Sequence, residues 1–326
     1  MPIVYLTPEP IRRKSGVFRD LLTSAGFTVL DSDGDGTARP AEQMRHMPDA
    51  DAYIAGGEVV GDDLMALAPR LKIIARTGVG YDAIDVVAAT RRGIAVSITP
   101  GANHESVAEQ AFGLILGLTR NLVNNDQIIR SGGWDRTLLT PLRGKTLGLV
   151  GLGRIGRAMV PKARAFGMNV VACDPIADLP FDQTSGLSRL ALEDLLAVSD
   201  VVSLHLPLND ETRAGFNGEV FARMKPGALL INTARGGLID ESDLYEALAS
   251  GHLGGAGLDV LCNEPPLPDH PFFKLTNVIL SPHMGGIDQK GMDDMAEMAA
   301  RTVIDLFQGN WPEGTIVNPE VRGRFV

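Results

Sequence analysis

The sequence is poor in cysteine, in positive charge and in long apolar stretches. Its only two cysteines, Cys173 and Cys262, do not have metal-ligand spacing, so we expect free thiols in a reducing compartment and no metal site. The net charge of −10 argues against nucleic acid or an anionic membrane surface as the main partner. No apolar run is long enough to span a membrane, and the first residues, Met1–Leu6, lack the charged region of a signal peptide. These absences favour a cytoplasmic protein.

What the sequence does contain is a regular alternation of strand-like and helix-like segments. Because the chain has 326 residues and is 44% hydrophobic, it is long for a single core and two domains are expected. Up to about residue 98, short apolar runs alternate with segments of helical periodicity, which predicts parallel strands joined by right-handed crossovers. The predicted strands are Ile3–Leu6, Phe27–Leu30, Ala52–Ala55, Leu71–Ala75 and Ile94–Ser97, and the predicted helices are Ser15–Ala25, Arg39–Met47, Asp62–Ala68 and Ile84–Arg91.

The alternation is interrupted at Thr99-Pro100-Gly101 and resumes further along the chain. Glu105–Asn121 is apolar on most sides and is predicted to be a buried helix. The last helix, Gly291–Gln308, either belongs to the second unit or returns to the first. The later predicted strands are Thr146–Val150, Met168–Cys173, Asp200–Leu204, Ala228–Asn232, Gly255–Leu258 and Asn277–Leu280. We therefore predict an α/β fold with two doubly wound parallel-sheet domains.

A glycine motif follows the predicted strand Thr146–Val150. It has the pattern GxGxxG over residues 151–156 and precedes a segment with helical spacing. The next predicted strand ends at Asp174, where a carboxylate would accept hydrogen bonds from both hydroxyls of a ribose. A GxGxxG motif alone is weak evidence, but the order strand, glycine turn, helix, strand and acid is that of a dinucleotide-binding unit. The helix N-terminus would supply N–H groups for the phosphates.

Polar residues follow several predicted strands, at the sheet edge where ligands bind in open α/β folds. Arg76-Thr77-Gly78-Val79-Gly80 offers backbone N–H groups to an anion, and His205-Leu206-Pro207 follows a strand of the second unit. Arg235, Glu264 and His283 come after three further strands. Taken singly, the arginine is compatible with a surface ion pair and the glutamate with a solvated loop. Taken together they indicate hydride transfer, with the histidine for the proton, the glutamate to orient it and the arginine for a carboxylate.

Several motifs spread along the chain form one pattern. They are Arg-Thr-Gly-Val-Gly-Tyr-Asp at 76–82, Ser-Val-Ala-Glu at 106–109, Gly-Leu-Gly-Arg-Ile-Gly at 151–156, Asn-Thr-Ala-Arg-Gly-Gly at 232–237, Leu-Asp-Val at 258–260 with Glu264-Pro265, and Ser-Pro-His at 281–283. In these motifs the chain resembles the D-isomer-specific 2-hydroxyacid dehydrogenases, over essentially its whole length. The resemblance implies an NAD-dependent oxidoreductase that interconverts a D-2-hydroxy acid and its 2-oxo acid.

The resemblance also implies roles for individual residues. Catalysis is assigned to Arg235, Glu264 and His283. The substrate-binding positions are Thr77, Gly78, Val79, Gly80, Arg235 and His283, with the backbone at Val79 and Gly80 holding the substrate carboxylate. The cofactor-binding positions are Gly151, Gly153, Arg154, Ile155, Gly156, Asp174, His205, Pro207, Thr212, Thr233, Ala234, Arg235, Asp259, His283 and Gly286. Among these, Thr233, Ala234, Asp259 and Gly286 are expected on the nicotinamide side.

The implied domain organisation is discontinuous. Residues 1–99 and 289–326 are expected to form a flavodoxin-like substrate domain, and residues 100–288 a Rossmann domain that binds NAD. An arm near residues 121–145 is expected to join two subunits into a homodimer. Trp134 in this arm is predicted to be a subunit contact, although it is also compatible with a cap on its own domain.

Two differences from the usual residues of the family narrow the range of expected substrates. Phosphoglycerate dehydrogenases carry an arginine in the loop after the third strand, whereas residues 54–58 here contain no cation and one acid, Glu58. Formate dehydrogenases of this fold pair the histidine with a glutamine, and the glutamate at 264 argues against them. Two other functions remain open: an NAD(H)-sensing interaction protein similar to the corepressors of this fold, and a dehydrogenase with a non-standard substrate such as phosphite or a sugar acid. The expected substrate is a small anionic 2-oxo or 2-hydroxy acid.

Overall fold

The computed structural model describes residues 1–33, 40–176 and 179–325. The chain divides into two units. Unit 1 comprises Met1–Asn103 and Gly286–Val326, and unit 2 comprises His104–Gly285. The sequence predicts a helix over 39–47, whose first residue lies outside the described part of the chain, and the helix in the structure begins at Pro40. Ala177, three positions after Asp174, also lies outside the described residues.

Both units are built from parallel strands and helices. The strands are β1 Ile3–Leu6, β2 Thr28–Asp31, β3 Ala52–Ala55, β4 Ile73–Arg76, β5 Ala95–Ser97, β6 Thr146–Val150, β7 Asn169–Cys173, β8 Ser188–Arg189, β9 Val201–Leu204, β10 Leu229–Asn232, β11 Gly255–Leu258 and β12 Val278–Leu280. The helices are α1 Val17–Ser24, α2 Pro40–His46, α3 Asp62–Ala66, α4 Val86–Arg92, α5 His104–Thr119, α6 Leu122–Arg130, α7 Arg154–Ala165, α8 Leu179–Ser185, α9 Leu192–Val198, α10 Gly218–Arg223, α11 Glu241–Ala249 and α12 Gln289–Phe307.

Unit 1 has a parallel sheet with strand order β2-β1-β3-β4-β5, which is the flavodoxin-like order. Because successive side chains of a strand point to opposite faces, Tyr53 packs in one core and Ile54 in the other. One core also contains residues of α1 and α12, so the last helix of the chain packs in unit 1. Both faces of the sheet are therefore buried, as the continuous apolar runs require.

Unit 2 has a parallel sheet with strand order β12-β11-β10-β9-β6-β7-β8. This is the Rossmann order extended by one strand, and the strand order reverses between β6 and β9. Buried residues of α5 and α7 pack on one face of the sheet, and residues of α9 and α11 pack on the other. The carboxyl ends of β6 and β9 therefore lie side by side at the point where ligands bind in such folds.

The predicted α/β class with two doubly wound parallel sheets is confirmed. The bounds of β1, β3, β6 and β11 agree with the sequence prediction, whereas the two-residue β8 and the short helices α8, α9 and α10 were not predicted. None of the helices in the described ranges combines the length and the apolar character needed to cross a membrane.

Candidate active site

The glycine turn between β6 and α7 is shaped by close backbone contacts. A Cβ atom on Gly151 would lie 2.5 Å from the carbonyl oxygen of His205, and one on Gly156 would lie 2.3 Å from the carbonyl oxygen of Gly151. Gly151 also has a φ of +97°, which favours glycine. By contrast, apart from the residues next to it in the chain, the described residues place no heavy atom within 4 Å of a Cβ built on Gly153. The first and third glycines are thus required by packing, and the second leaves an open approach to the backbone.

The turn leads directly into the N-terminus of α7. Gly153 is the N-cap and has no side-chain cap, so the N–H groups of the first turn, which include those of Arg154 and Ile155, have no intrahelical partner. Such N–H groups and the helix dipole favour a phosphate. The Arg154 side chain is exposed beside them and adds a positive charge.

Asp174 lies at the end of β7, next to the glycine turn. Its Oδ2 accepts a hydrogen bond from the Leu152 N–H at 2.6 Å, and its Oδ1 accepts one from the Ile176 N–H at 2.7 Å. Arg189 of β8 donates to the carbonyl oxygens of Asp174 and Ile176, at 3.2 and 2.8 Å. The carboxylate is therefore held at the position where the sequence predicts a ribose-binding acid.

Two buried polar atoms at the neighbouring strand ends have no hydrogen-bond partner within the described residues: His205 Nδ1 after β9 and Thr233 Oγ1 after β10. Burial lowers the pKa of His205 to about 4, so its ring is neutral at neutral pH, with Nε2 at 3.0 Å from Ser203 Oγ. Buried polar atoms without partners are rare and point to a missing ligand or water. Together with the open turn at Gly153 and the acid at Asp174, they fit a dinucleotide.

Pro207 and Thr212 belong to the loop that follows β9. The Thr212 hydroxyl donates to the carbonyl oxygen of Pro207 at 2.7 Å, and its backbone N–H donates to Asn209 Oδ1 at 2.9 Å. These bonds close the loop on itself and fix its two predicted cofactor-binding residues relative to each other. The loop begins at the strand end that carries His205.

His283 and Glu264 form a pair in unit 2. His283 Nδ1 lies 2.7 Å from Glu264 Oε2, and both side chains are about two-fifths exposed. Burial raises the pKa of Glu264, but the hydrogen bond and charge of His283 oppose this effect, so the pKa lies below its usual value. The N–H of Leu261 and the charge of Arg235 contribute to the same lowering. Glu264 is therefore ionised at neutral pH, and its negative charge lies against the His283 ring.

Arg235 follows β10 in a turn that Asn232 holds. Asn232 Nδ2 donates to the carbonyl oxygen of Arg235 at 2.8 Å, and Asn232 Oδ1 accepts from the Ala234 N–H at 3.0 Å. The Arg235 guanidinium donates to the carbonyl oxygen of Ala234 at 2.6 Å. Because the Arg235 charge lowers the pKa of Glu264, the three residues of the predicted catalytic set share one electrostatic environment.

Asp259 is buried, and its carboxylate accepts hydrogen bonds from backbone N–H groups. Its Oδ1 accepts from the Met284 N–H at 2.9 Å and its Oδ2 from the Gly285 N–H at 2.7 Å. Gln110 of α5 donates to the same carboxylate at 3.3 Å. These bonds brace a turn in which His283 has a φ of +55°, a conformation that costs a non-glycine residue about 1–2 kcal/mol. Sequence reasoning missed Gln110 as a support of the site, because its partners Asp259 and Ser281 lie 149 and 171 positions away. Asn232 belongs to the motif at 232–237, but no role was assigned to it.

The other predicted substrate-binding residues lie in unit 1. Thr77 is buried and its hydroxyl donates to the carbonyl oxygen of Ala55 at 3.0 Å, while the Gly78 N–H donates to Thr99 Oγ1 at 2.9 Å. The N–H groups of Val79 and Gly80 have no hydrogen-bond acceptor among the described residues. Gly286, predicted on the nicotinamide side, also belongs to unit 1.

Glu58, the one acid of the loop after β3, is buried in unit 1. Its side chain is 7% exposed, and its Oε1 accepts hydrogen bonds from the Tyr53 hydroxyl at 2.6 Å and the Gly56 N–H at 3.1 Å. The Thr7 hydroxyl binds the same oxygen. The carboxylate is therefore turned into the interior of unit 1 and is not displayed to a ligand. The loop of residues 54–58 still offers no cation.

Comparisons with known proteins agree with this fold. The family model described as D-isomer specific 2-hydroxyacid dehydrogenase, NAD binding domain, matches residues 112–285. A glyoxylate reductase of Korarchaeum cryptofilum is 40% identical over 85% of this chain and 86% of its own length. A D-3-phosphoglycerate dehydrogenase of Mycobacterium bovis is 40% identical over 84% of this chain, which spans only 54% of that protein.

A solved structure is also similar along the whole chain. The TT0316 protein from Thermus thermophilus has a TM-score of 0.87 and 38% identity, and the match covers 97% of this chain and 99% of that one. The family model alone covers more than half of the sequence, including the glycine turn and the pair of Glu264 and His283. The chain therefore belongs to the D-isomer-specific 2-hydroxyacid dehydrogenase family, and the matched part is the NAD-binding domain of that family.

Proposed function

We propose that this protein reduces a small unphosphorylated 2-oxo acid to the D-2-hydroxy acid with NADH, and catalyses the reverse oxidation with NAD. The observation that carries the proposal is the contact of 2.7 Å between His283 Nδ1 and Glu264 Oε2. A carbonyl cannot become a hydroxyl without a proton, and this pair supplies one at a fixed position. Unit 1 would bind the substrate, and unit 2 would bind the cofactor.

The glycine turn, the N-terminus of α7 and Asp174 would hold the dinucleotide. Thr233 and His205 would contribute the hydroxyl and ring nitrogen that have no partner within the described chain. When bound, NADH supplies the hydride for the substrate carbon. The protein residues must then orient the substrate and move the proton.

His283 would be the proton donor in reduction. Since Glu264 occupies Nδ1, the atom left for the substrate oxygen is Nε2. The negative charge of Glu264 favours the imidazolium form, which gives its proton to the developing alkoxide. In the oxidation, neutral His283 accepts the proton from the hydroxyl. We assign the substrate carboxylate to Arg235.

NAD is expected to be preferred over NADP. Asp174 would accept hydrogen bonds from ribose hydroxyls and repel a 2′-phosphate, and a hydrogen bond to a charged group contributes about 1.5–3 kcal/mol. The preference in kcat/KM should therefore be about ten- to a hundred-fold. Asp174→Asn, which keeps an oxygen for the Leu152 N–H but removes the charge, should reduce it. Asp194→Ala, at an exposed acid of α9, is the matched control. Equal kcat/KM for the two cofactors in the unaltered protein would contradict the prediction.

The second expectation is that 3-phosphoglycerate is not the preferred substrate. The loop after β3 contains no cation for a phosphate, and the net charge of −10 opposes a dianionic group. The measurement is an NADH-oxidation screen over glyoxylate, hydroxypyruvate, pyruvate, 2-oxoisocaproate and branched sugar-derived oxo acids, with 3-phosphoglycerate and NAD in the reverse direction. A kcat/KM for 3-phosphoglycerate above that of every unphosphorylated acid would overturn the substrate class while leaving the reaction type intact.

We also expect a homodimer that uses the arm near residues 121–145. The helix α6 has no buried residue, Trp134 is 82% exposed, and Leu138 is fully exposed. Large apolar side chains exposed this strongly indicate a contact surface. Light scattering at micromolar concentration should give twice the chain mass of 34.7 kDa. Trp134→Ala should weaken the dimer by about thirty-fold if the indole is an anchor, whereas Val198→Ala at another exposed site should not. A monomer in the unaltered protein would refute the expectation.

A further inference from the structure

The loop that carries Glu264 has few contacts of its own. Residues Cys262, Asn263 and Glu264 are exposed, so the position of the Glu264 carboxylate depends on a small number of hydrogen bonds. One of them lies within the loop, where Glu264 Oε1 accepts from the Leu261 N–H at 3.1 Å. The backbone at Leu261 and Cys262 therefore determines where Glu264 Oε2 meets His283.

Glu241, the first residue of α11, binds this backbone from outside the loop. Its Oε1 accepts a hydrogen bond from the Cys262 N–H at 2.8 Å. The start of α11 is itself fixed, because the Asp240 side chain caps it by accepting from the N–H groups of Ser242 and Asp243. Burial, followed by the charge of Glu241, raises the pKa of Cys262 to about 11, so the thiol stays protonated beside the carboxylate.

The second oxygen of Glu241 is anchored by His270. His270 Nε2 lies 3.3 Å from Glu241 Oε2, and the His270 side chain is only 13% exposed. His270 Nδ1 accepts from the Phe272 N–H at 3.4 Å, so a neutral ring with its proton on Nε2 satisfies both partners. Phe272 is buried in the core of unit 2, and His270 packs against its ring. The Glu241 carboxylate is thus connected to a rigid part of the protein.

The Leu261–Cys262 peptide also lies against the turn that carries Arg235. A Cβ atom on Gly236 would lie 2.0 Å from the carbonyl carbon of Leu261 and 2.4 Å from the Cys262 nitrogen. A displacement of the Leu261–Cys262 peptide would therefore disturb the surroundings of both Arg235 and Glu264. The bond from Cys262 to Glu241 opposes such a displacement.

We propose that Glu241 is a positioning residue for the proton transfer: by holding the Cys262 N–H it fixes the Glu264 loop and keeps the Glu264 carboxylate on His283. This inference rests on the proposed function, because it assumes that the pair of Glu264 and His283 moves the proton. Glu241 itself contacts neither residue of the pair. On its outer side it borders a cavity of about 520 Å³, which Asp243, Glu246, Asp269 and Lys274 also line.

The test compares Glu241→Met, which has a similar size and no oxygen, with Glu241→Gln, which keeps an oxygen for the Cys262 N–H. Glu241→Met should lower kcat for reduction by about ten-fold and shift the midpoint of the pH profile toward acid, in the direction expected for Glu264→Gln. Glu241→Gln loses only the contact with His270, so its midpoint should remain near that of the unaltered protein. Glu246→Met, which removes an acid from the same cavity but no bond to the loop, should change neither quantity.

The Kd for NADH should stay unchanged in all three variants, because the glycine turn and Asp174 are untouched. A Glu241→Met protein with a lower melting temperature and an unshifted pH profile would show a purely structural role and overturn the inference. If Glu241→Met does not fold, Glu241→Ala, which also removes the acceptor of the Cys262 N–H, decides the question: an acid shift relative to Glu241→Gln supports the inference and an unshifted midpoint overturns it. If His283→Ala or Glu264→Gln gives the behaviour of the unaltered protein, the proposed function fails, independently of Glu241.

Discussion

Replacing His283 by alanine is expected to lower kcat for 2-oxo acid reduction by about a hundred-fold or more, the usual contribution of a positioned acid–base group. The expectation follows from the position of the ring: Glu264 holds Nδ1 at 2.7 Å and leaves Nε2 as the proton donor. NADH should still bind to His283→Ala in a fluorescence titration, because the glycine turn and Asp174 are unaltered. His252→Ala is the control, since that ring binds the carbonyl oxygen of Phe221 within unit 2. Near-normal turnover in His283→Ala would exclude the assigned proton path.

The pH profile of Glu264→Gln tests the same path without removing the histidine. The pKa of Glu264 is lowered, so the side chain carries its charge throughout the neutral range and stabilises the imidazolium. Without this charge, the imidazolium loses its proton at a lower pH. Reduction needs the protonated ring, so with rising pH its rate should begin to fall at a lower pH than in the unaltered protein. Oxidation needs the neutral ring, so with rising pH its rate should begin to increase at a lower pH. Both profiles therefore move toward acid, and unmoved profiles would contradict the assignment.

The features that could be predicted from the sequence are those that depend on neighbouring residues. The strands β1, β3, β6 and β11 are short, mostly apolar runs bounded by proline, glycine or polar residues, so their limits follow from local composition. The glycine turn is equally local, since its requirements all lie within residues 146–174. The edge strand β8 consists only of a serine and an arginine, and nothing in such a pair indicates a strand.

The features that could not be predicted depend on contacts between distant residues. The sequence places Asp259 at a strand end, but the N–H groups of Met284 and Gly285, about 25 positions away, turn its carboxylate inward. Glu58 is similar, because the Thr7 hydroxyl, 51 positions away, joins the Tyr53 hydroxyl in binding its carboxylate inside unit 1. Glu241 and His270 have no motif that connects them with Glu264. In each case the fold supplies the partner, and local patterns contain no information about it.

Arg235 gives the second large expected effect. Its guanidinium would bind the substrate carboxylate and the carbonyl oxygen on which negative charge develops, so its loss should affect both KM and kcat. Removing one positioned donor from a developing oxyanion costs about 10²–10³ in rate, and the lost carboxylate contact adds to this. We therefore expect Arg235→Gln to lower kcat/KM for the preferred 2-oxo acid by about 10³ or more.

Arg235→Lys separates charge from geometry. Asn232 holds the turn that carries the planar Arg235 guanidinium. A lysine ammonium cannot reproduce the paired donors of a guanidinium, so Arg235→Lys should recover only part of the kcat/KM that Arg235→Gln loses. Arg223→Gln, at an arginine that pairs with Glu193 on α9, is the control for loss of a positive charge in unit 2. The measurements are steady-state kinetics for the 2-oxo acid and a titration with NADH, which should still bind because the glycine turn and Asp174 are unaltered. If Arg235→Gln changes only KM, the arginine binds the substrate without stabilising the transition state, and the charge on the developing alkoxide must then be met by His283 alone.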